Sequence, residues 1–277
     1  MNMTSLSYRA RVAAGRTARR FTDLFRPRST RRRLASGEGF HHTVFEHAST
    51  LLKSVPPNMM ELQRNKVRNL ELACGRMDGL LLRPGDVFSF CSLVGPATRR
   101  RGYLDGMQLV RGELRPVAGG GLCQLANLVY WMGLHAGMKV LERHHHCVDL
   151  FPDDGRTVPF GMGVSIFYNY MDLRLRNSLP QPLLLRVAVE PPVLSGRLLS
   201  DAPPECAVTV FQREHRYFRD GDGIVWRENR VYRRTECGDG GVREEEIAHN
   251  LGRVLYDTSG LKVEEDASEG VRTFPES

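Results

Sequence analysis

Met59, Leu62, Lys66, Leu70, Ala73 and Met77 recur at near-helical spacing in NMMELQRNKVRNLELACGRMDGLLL, between two prolines and Gly79. The spacing predicts one long helix within residues 58–82, with Asn58 as its cap after the prolines. In RPGDVFSFCSLVGP, Pro84-Gly85 makes a turn, and Val87, Phe88, Phe90 and Leu93 make a short strand running into a Gly-Pro turn. MQLVRGELRPVAGGG reads as a second short strand, a turn at Gly112 and a loop ending in three glycines. A mostly buried helix starts at about Leu122, turns Leu125, Leu128, Val129 and Met132 inward, and closes at Gly137.

Beyond that helix the period changes to two. MKVLERHHHCVDLF alternates as a strand does, with Val140, Glu142, His144 and His146 on one face and Leu141, Arg143, His145 and Cys147 on the other. Two β-rich runs follow, split by the turn NSLPQP. From Ala207 on, three more are separated by the hairpin signals DGDG and GDGG. The pattern gives an α+β protein: a mixed sheet with packed helices over residues 41–200, a β-meander over 201–260, and a disordered tail over 261–277.

At 277 residues, with 41% hydrophobic and 26% charged positions, the chain is long enough for ordinary cores. Its +7 charge is uneven: residues 1–33 hold ten arginines against Asp23, a net +9 that leaves −2 for the remainder. The pI of about 9.3 therefore describes residues 1–40, expected as a disordered basic arm able to touch an anionic membrane surface. Basic residues interleaved with aromatics are missing from the rest, which argues against nucleic acid as partner. No window of about 18 apolar residues occurs, and no secretory signal pattern. With no Cys-x-x-Cys among the six cysteines, the expectation is that most of the thiols are reduced and buried and that the location is cytoplasmic, with contact at a membrane surface through the arm.

The candidate chemistry centres on VAGGGLCQ. Amide groups of a glycine loop entering a helix form an anion nest, and the helix dipole adds positive potential. The Lys and Ser/Thr of a phosphate loop are replaced by Cys123-Gln124, which suits acyl transfer better than nucleotide binding. In that reading Cys123 attacks, His146 (or His144) is the base, Asp172 is the third member and Gln124 assists. Gly119, Gly120 and Gly121 hold an oxyanion, and Arg143 binds a carboxylate. The competing reading has Cys123 as a small hydrophobe opening a buried helix. His144 and His146 could share a metal, but two ligands without a telling third make no site, and no cofactor is expected.

RPGDVFSFCSLVGPATRRRGYLDG, VAGGGLCQLANLVYW, ERHHHCVDLFP and YMDLRLRN, in this order and spacing, resemble the VanW family over about residues 80–190. The pattern falls on Pro84, Gly85, Phe88, Ser89, Phe90, Gly95, Gly119, Gly120, Gly121, Cys123, Gln124, Arg143, His146, Asp172, Leu173 and Asn177. The resemblance implies an accessory role around glycopeptide resistance or the cell envelope, with peptidoglycan-related peptides or other carboxylates as ligands. It supplies no reaction. One departure bears on the triad: the family often has Asp-Ala about nine residues before the Asp-Leu pair, where this chain has Gly163-Val164. An aspartate that could orient His146 is therefore missing.

Overall fold

The structure is a computed structural model that describes residues 14–15, 17, 19, 29–34, 36–52, 56–110, 113–145, 148–150, 152–153, 157–238 and 240–265. In chain order its elements are β1 (His42–Thr50), α1 (Met60–Met77), β2 (Leu80–Leu82), β3 (Val87–Ser89), α2 (Phe90–Val94), β4 (Asp105–Val110), β5 (Glu113–Ala118) and α3 (Cys123–His135). β6 (Lys139–Glu142), β7 (Val148–Asp149), β8 (Arg174–Arg176), β9 (Leu183–Glu190) and β10 (Val193–Ser200) follow. β11 (Cys206–Arg219), β12 (Val225–Cys237), β13 (Val242–Val254) and β14 (Val263–Glu265) end the series.

The α+β class holds. An antiparallel sheet in the order β1-β10-β9-β2 carries α1 and α3 on its core face, and a smaller sheet β3-β8-β6 and the hairpin β4-β5 complete this part. α1 turns Gln63, Lys66, Asn69, Leu70, Ala73, Cys74 and Met77 inward, and ends where Gly79 takes a left-handed φ of +77°. Met59, not Asn58, stands at its N-cap, after one 3-10 turn over Pro57–Met59. α3 is apolar almost all round because it is enclosed. Met132 and Leu128 pack on Gly196 of β10, where a Cβ would meet the Met132 Cε at 2.7 Å.

Several local readings give way to tertiary pairing. Phe90 leaves the strand and opens α2, because Ser89 Oγ caps it by accepting the Ser92 N–H at 3.2 Å. The stretch before the glycines is the strand β5, paired with β4 from Asp105↔Ala118 to Val110↔Glu113; the turn expected at Gly112 lies outside the described residues. Strand character beginning at Lys139 stops at Glu142 after a register shift, so the alternation through the histidines is not one continuous strand. β1 and β10, which the periodicity left unassigned, pair along His42↔Ser200 to Thr50↔Val193.

The basic arm is a further correction. Ser29 and Arg33 bridge to Val87 and Leu80, and the amides of Thr30 and Leu34 donate to Val87 (2.9 Å) and Gly79 (2.7 Å). Residues 29–34 thus extend the sheet edges, where unpaired backbone groups of β2 and β3 need partners. The order β14-β11-β12-β13-β7 forms the meander, and two of its strands come from unexpected places. β7, from the segment after the histidines, runs parallel to β13; β14 lies in the stretch expected to be disordered and runs parallel to β11. Arg227, fully buried, locks that union by donating to Asp149 at 3.0 Å and to Asp153, with its guanidinium over the Phe160 ring.

Candidate functional site

Cys123 opens α3 directly behind the glycine loop, as its sequence position requires, and is half-buried. Burial pushes its thiol up from the ordinary cysteine range; the backbone amides of Ile166 and of Cys123 itself, turned to the sulfur, oppose that shift without overcoming it. Of the other thiols, Cys74 is pushed up to about 12 by burial and by the charges of Asp78 and Glu71. Burial and Asp172 raise Cys91 as well.

The three glycines are closed by the protein. Gly119 and Gly121 take φ of +79° and +91°, conformations that favour glycine. A Cβ on Gly120 would sit 2.0 Å from the carbonyl oxygen of Gly106, and one on Gly121 would sit 2.2 Å from Lys66 Cγ. Two of the loop amides are used within the fold: Gly119 N–H donates to Leu104 (3.0 Å) and Gly120 N–H to Val117 (2.8 Å). Fully buried Asn69 reaches from α1 to the Gly120 and Leu104 carbonyls and accepts the Leu104 amide at 2.8 Å. Sequence reasoning missed Asn69 because it stands in an ordinary helical heptad. Among the described residues no backbone carbonyl takes the amides of Gly121 and Cys123, the donors expected in the first turn of a helix, and that of Cys123 turns to its own sulfur.

The remaining predicted residues divide around β6. Gln124 faces away from the thiol, its amide donating to Ser49 Oγ and the Thr50 carbonyl at 2.9 Å and tying α3 to the end of β1. Arg143 stacks over Tyr130, 4.9 Å from the ring centre, and donates to the carbonyls of Gly163 (3.1 Å) and Gly161. That draws residues 161–166 along α3. Val164 N–H then meets Asn127 Oδ1 at 2.7 Å and Ser165 N–H meets the His144 carbonyl at 2.8 Å. Asn127 and Cys123 are one helical turn apart, which matches the two-residue step of the extended chain, so the Val164 and Ile166 amides fall on them.

Asp172 belongs to a different cluster. It is buried, accepts from Ser89 Oγ (2.5 Å), Cys91 N–H (2.8 Å) and Arg19 (3.4 Å), and makes no hydrogen bond to Cys123. Burial raises its pKa, against the lowering effect of the Ser89, Cys91 and Arg19 groups. Glu142 joins this cluster through Arg19, the Asp172 amide (3.2 Å) and His144 Nε2 (3.1 Å). His146 lies outside the described residues. At Gly163, where the family resemblance led to the expectation of an aspartate, a Cβ would meet nothing within 4 Å. Among the described residues no three His, Cys, Asp or Glu side chains converge as a metal site, and no helix is long and apolar enough to cross a membrane.

Comparison with known proteins agrees with the motif pattern. The chain is 33% identical over 165 residues to the vancomycin B-type resistance protein VanW of Enterococcus faecalis, covering 60% of each chain. It is 29% identical over 126 residues to the uncharacterized protein YoaR of Bacillus subtilis, covering 44% of this chain and 39% of that one. The chain thus spans about 60% and 39% of the lengths of these relatives. No solved structure matches. Residues 65–199, which hold the glycine loop, α3, the Arg143 tether and the Ser89–Asp172 pair, match the model of VanW-like proteins, and over this stretch the chain is VanW-like.

Proposed function

We propose that this protein is an accessory factor in glycopeptide resistance or cell-envelope biology, and that it acts as a binding module rather than a hydrolase. Likeness to a family that includes a vancomycin resistance protein supports the first part. The observation that carries the second is the state of Cys123: its thiol is pushed up by burial, and the acid expected to complete a triad is committed to Ser89 and Cys91. The ligand is a carboxylate, that of a peptidoglycan-related peptide, received at the start of α3 by the Gly121 amide and by the Cys123 amide as it turns from its own sulfur, under the dipole of a 13-residue helix. Arg143 shapes this place indirectly, by holding residues 161–163 along α3. Calorimetric titration of a short peptide with a free C-terminal carboxylate, against the same peptide amidated, tests the reading. Binding of the acid alone is expected; equal binding, or none, removes it.

The acyl-transfer reading keeps one observation in its favour, the two amides turned to the Cys123 sulfur, which would also serve a thiolate. It requires His146 as base. Iodoacetamide labelling between pH 5 and 9 separates the two: a packed thiol labels slowly until the pH exceeds 9. A nucleophile labels fast near neutrality and slows when His146 is replaced by alanine.

A further inference from the structure

Cys206 is the first residue of β11 and Cys237 the last of β12, and the two face each other as the end rung of that ladder. Their Cα atoms are 4.1 Å apart and their sulfurs are bonded, a pairing that the expectation of mostly reduced thiols did not name. The other described cysteines, Cys74, Cys91 and Cys123, are free. Immediately after Cys206, β11 crosses the C-terminal end of α3: Val208 packs beside Gly137 and His135, and Val210 enters the main core. Cys206 and Val208 line a cavity of about 500 Å³ at this junction, together with His135, Leu179 and Arg233. The bond thus sits where the meander docks on the core, at the end of the hairpin opposite its Asp220–Gly223 turn.

We infer that Cys206–Cys237 is a redox lock on the docking of the meander against α3, closed in oxidising surroundings and opened by a dithiol reductant. Closing forms the Sγ–Sγ bond and passes two electrons and two protons to an external disulfide, which leaves as two thiols. Opening is the reverse exchange, with the dithiol leaving as its own disulfide. When open, the end of β12 stays paired to β13 through Glu236↔Val242, while the start of β11, which β14 does not reach, keeps only its ladder to β12 and the packing of Val208 and Val210, and is the part free to fray. Persistent disulfides belong to oxidising compartments, so the lock places the folded meander in one, against the cytoplasmic location expected from the residues alone.

Two measurements test it. Native host cells are quenched in acid, free thiols are blocked with N-ethylmaleimide, and the chain is digested for mass spectrometry. The expected result is a peptide containing Cys206 joined to one containing Cys237, with neither alkylated; alkylation of both overturns the inference. In the second, the purified oxidised protein is compared with and without dithiothreitol by hydrogen exchange. Amides of residues 206–210 and 233–237 are expected to exchange at least tenfold faster after reduction, with α1 unchanged, and the double variant Cys206→Ser, Cys237→Ser should match the reduced protein. Unchanged exchange in these strands after verified reduction overturns the lock, as does a rise spread equally over the whole chain.

Discussion

The hydroxyl of Ser89 donates to the carboxylate of Asp172 across 2.5 Å, joining two motifs 83 positions apart. The same carboxylate accepts the Cys91 amide, and Ser89 Oγ caps α2, so the pair fixes the start of that helix against the segment leading into β8. Asp172→Ala would leave a buried hydroxyl and amide unpaired beside the Arg19 charge. We expect a loss of about 3 kcal/mol in urea unfolding, the usual scale for breaking a buried charged network. Alkylation of Cys123 should stay within twofold of the parent protein; a large change in labelling at unchanged stability would return Asp172 to the thiol's service.

Within the loop and its strap, two glycines should behave oppositely. Gly120→Ala forces a Cβ against the Gly106 carbonyl and should cost about 2 kcal/mol or more, or prevent folding. Gly163→Asp meets open space at an exposed position and should change the thermal midpoint little, about 0.5 kcal/mol at most. If instead Gly120→Ala melts with the parent, the close packing of the loop on β4 is wrong.

Removing the arm should not be neutral. Three backbone hydrogen bonds tie residues 30–34 to the sheet edges: Thr30 to Val87, Leu34 to Gly79, and Leu81 to Arg32. At about 1 kcal/mol each, and with Arg19 taken from the buried carboxylates of Asp172 and Glu142, deletion of residues 1–34 should destabilise by about 3 kcal/mol or more. Differential scanning calorimetry reads this directly, and equal midpoints would return the arm to solvent.

His135 gives a pH signature. It stacks on Phe45 with ring centres 4.0 Å apart, and burial lowers its pKa from 6.5 to about 4. The unfolded chain therefore binds a proton at this site before the folded one does. The stabilising contribution is complete above about pH 6.5 and is lost as the pH falls toward 4. The full shift would correspond to about 3 kcal/mol, but His135 is only partly buried, so solvent screening reduces the expectation to about 1–2 kcal/mol. His47 and His215, also lowered by burial, act in the same direction. Urea midpoints from pH 7.5 to 4 should fall, and His135→Leu should flatten the curve; an unaltered slope in that variant would assign the effect elsewhere.

What the sequence by itself determined follows from local physics. The helical spacing from Met59 to Met77 and the apolar run after Cys123 are long enough to bury a face, and both helices form nearly as read. The DGDG and GDGG turns determined the long hairpins β11–β12–β13, because turn chemistry acts between neighbours in the chain. The motif residues also announced the family. Only the tertiary structure decided what they hold. Phe90 and Asn177 are buried scaffold, and Asn177 bridges the Leu82 and Gln181 carbonyls; Gln124 faces β1, and Arg143 faces its own chain. β7, β14 and residues 29–34 found partners far away in sequence, as did Cys206 with Cys237. Such pairings depend on which backbone groups the rest of the fold leaves unsatisfied, and no periodicity along one segment records that.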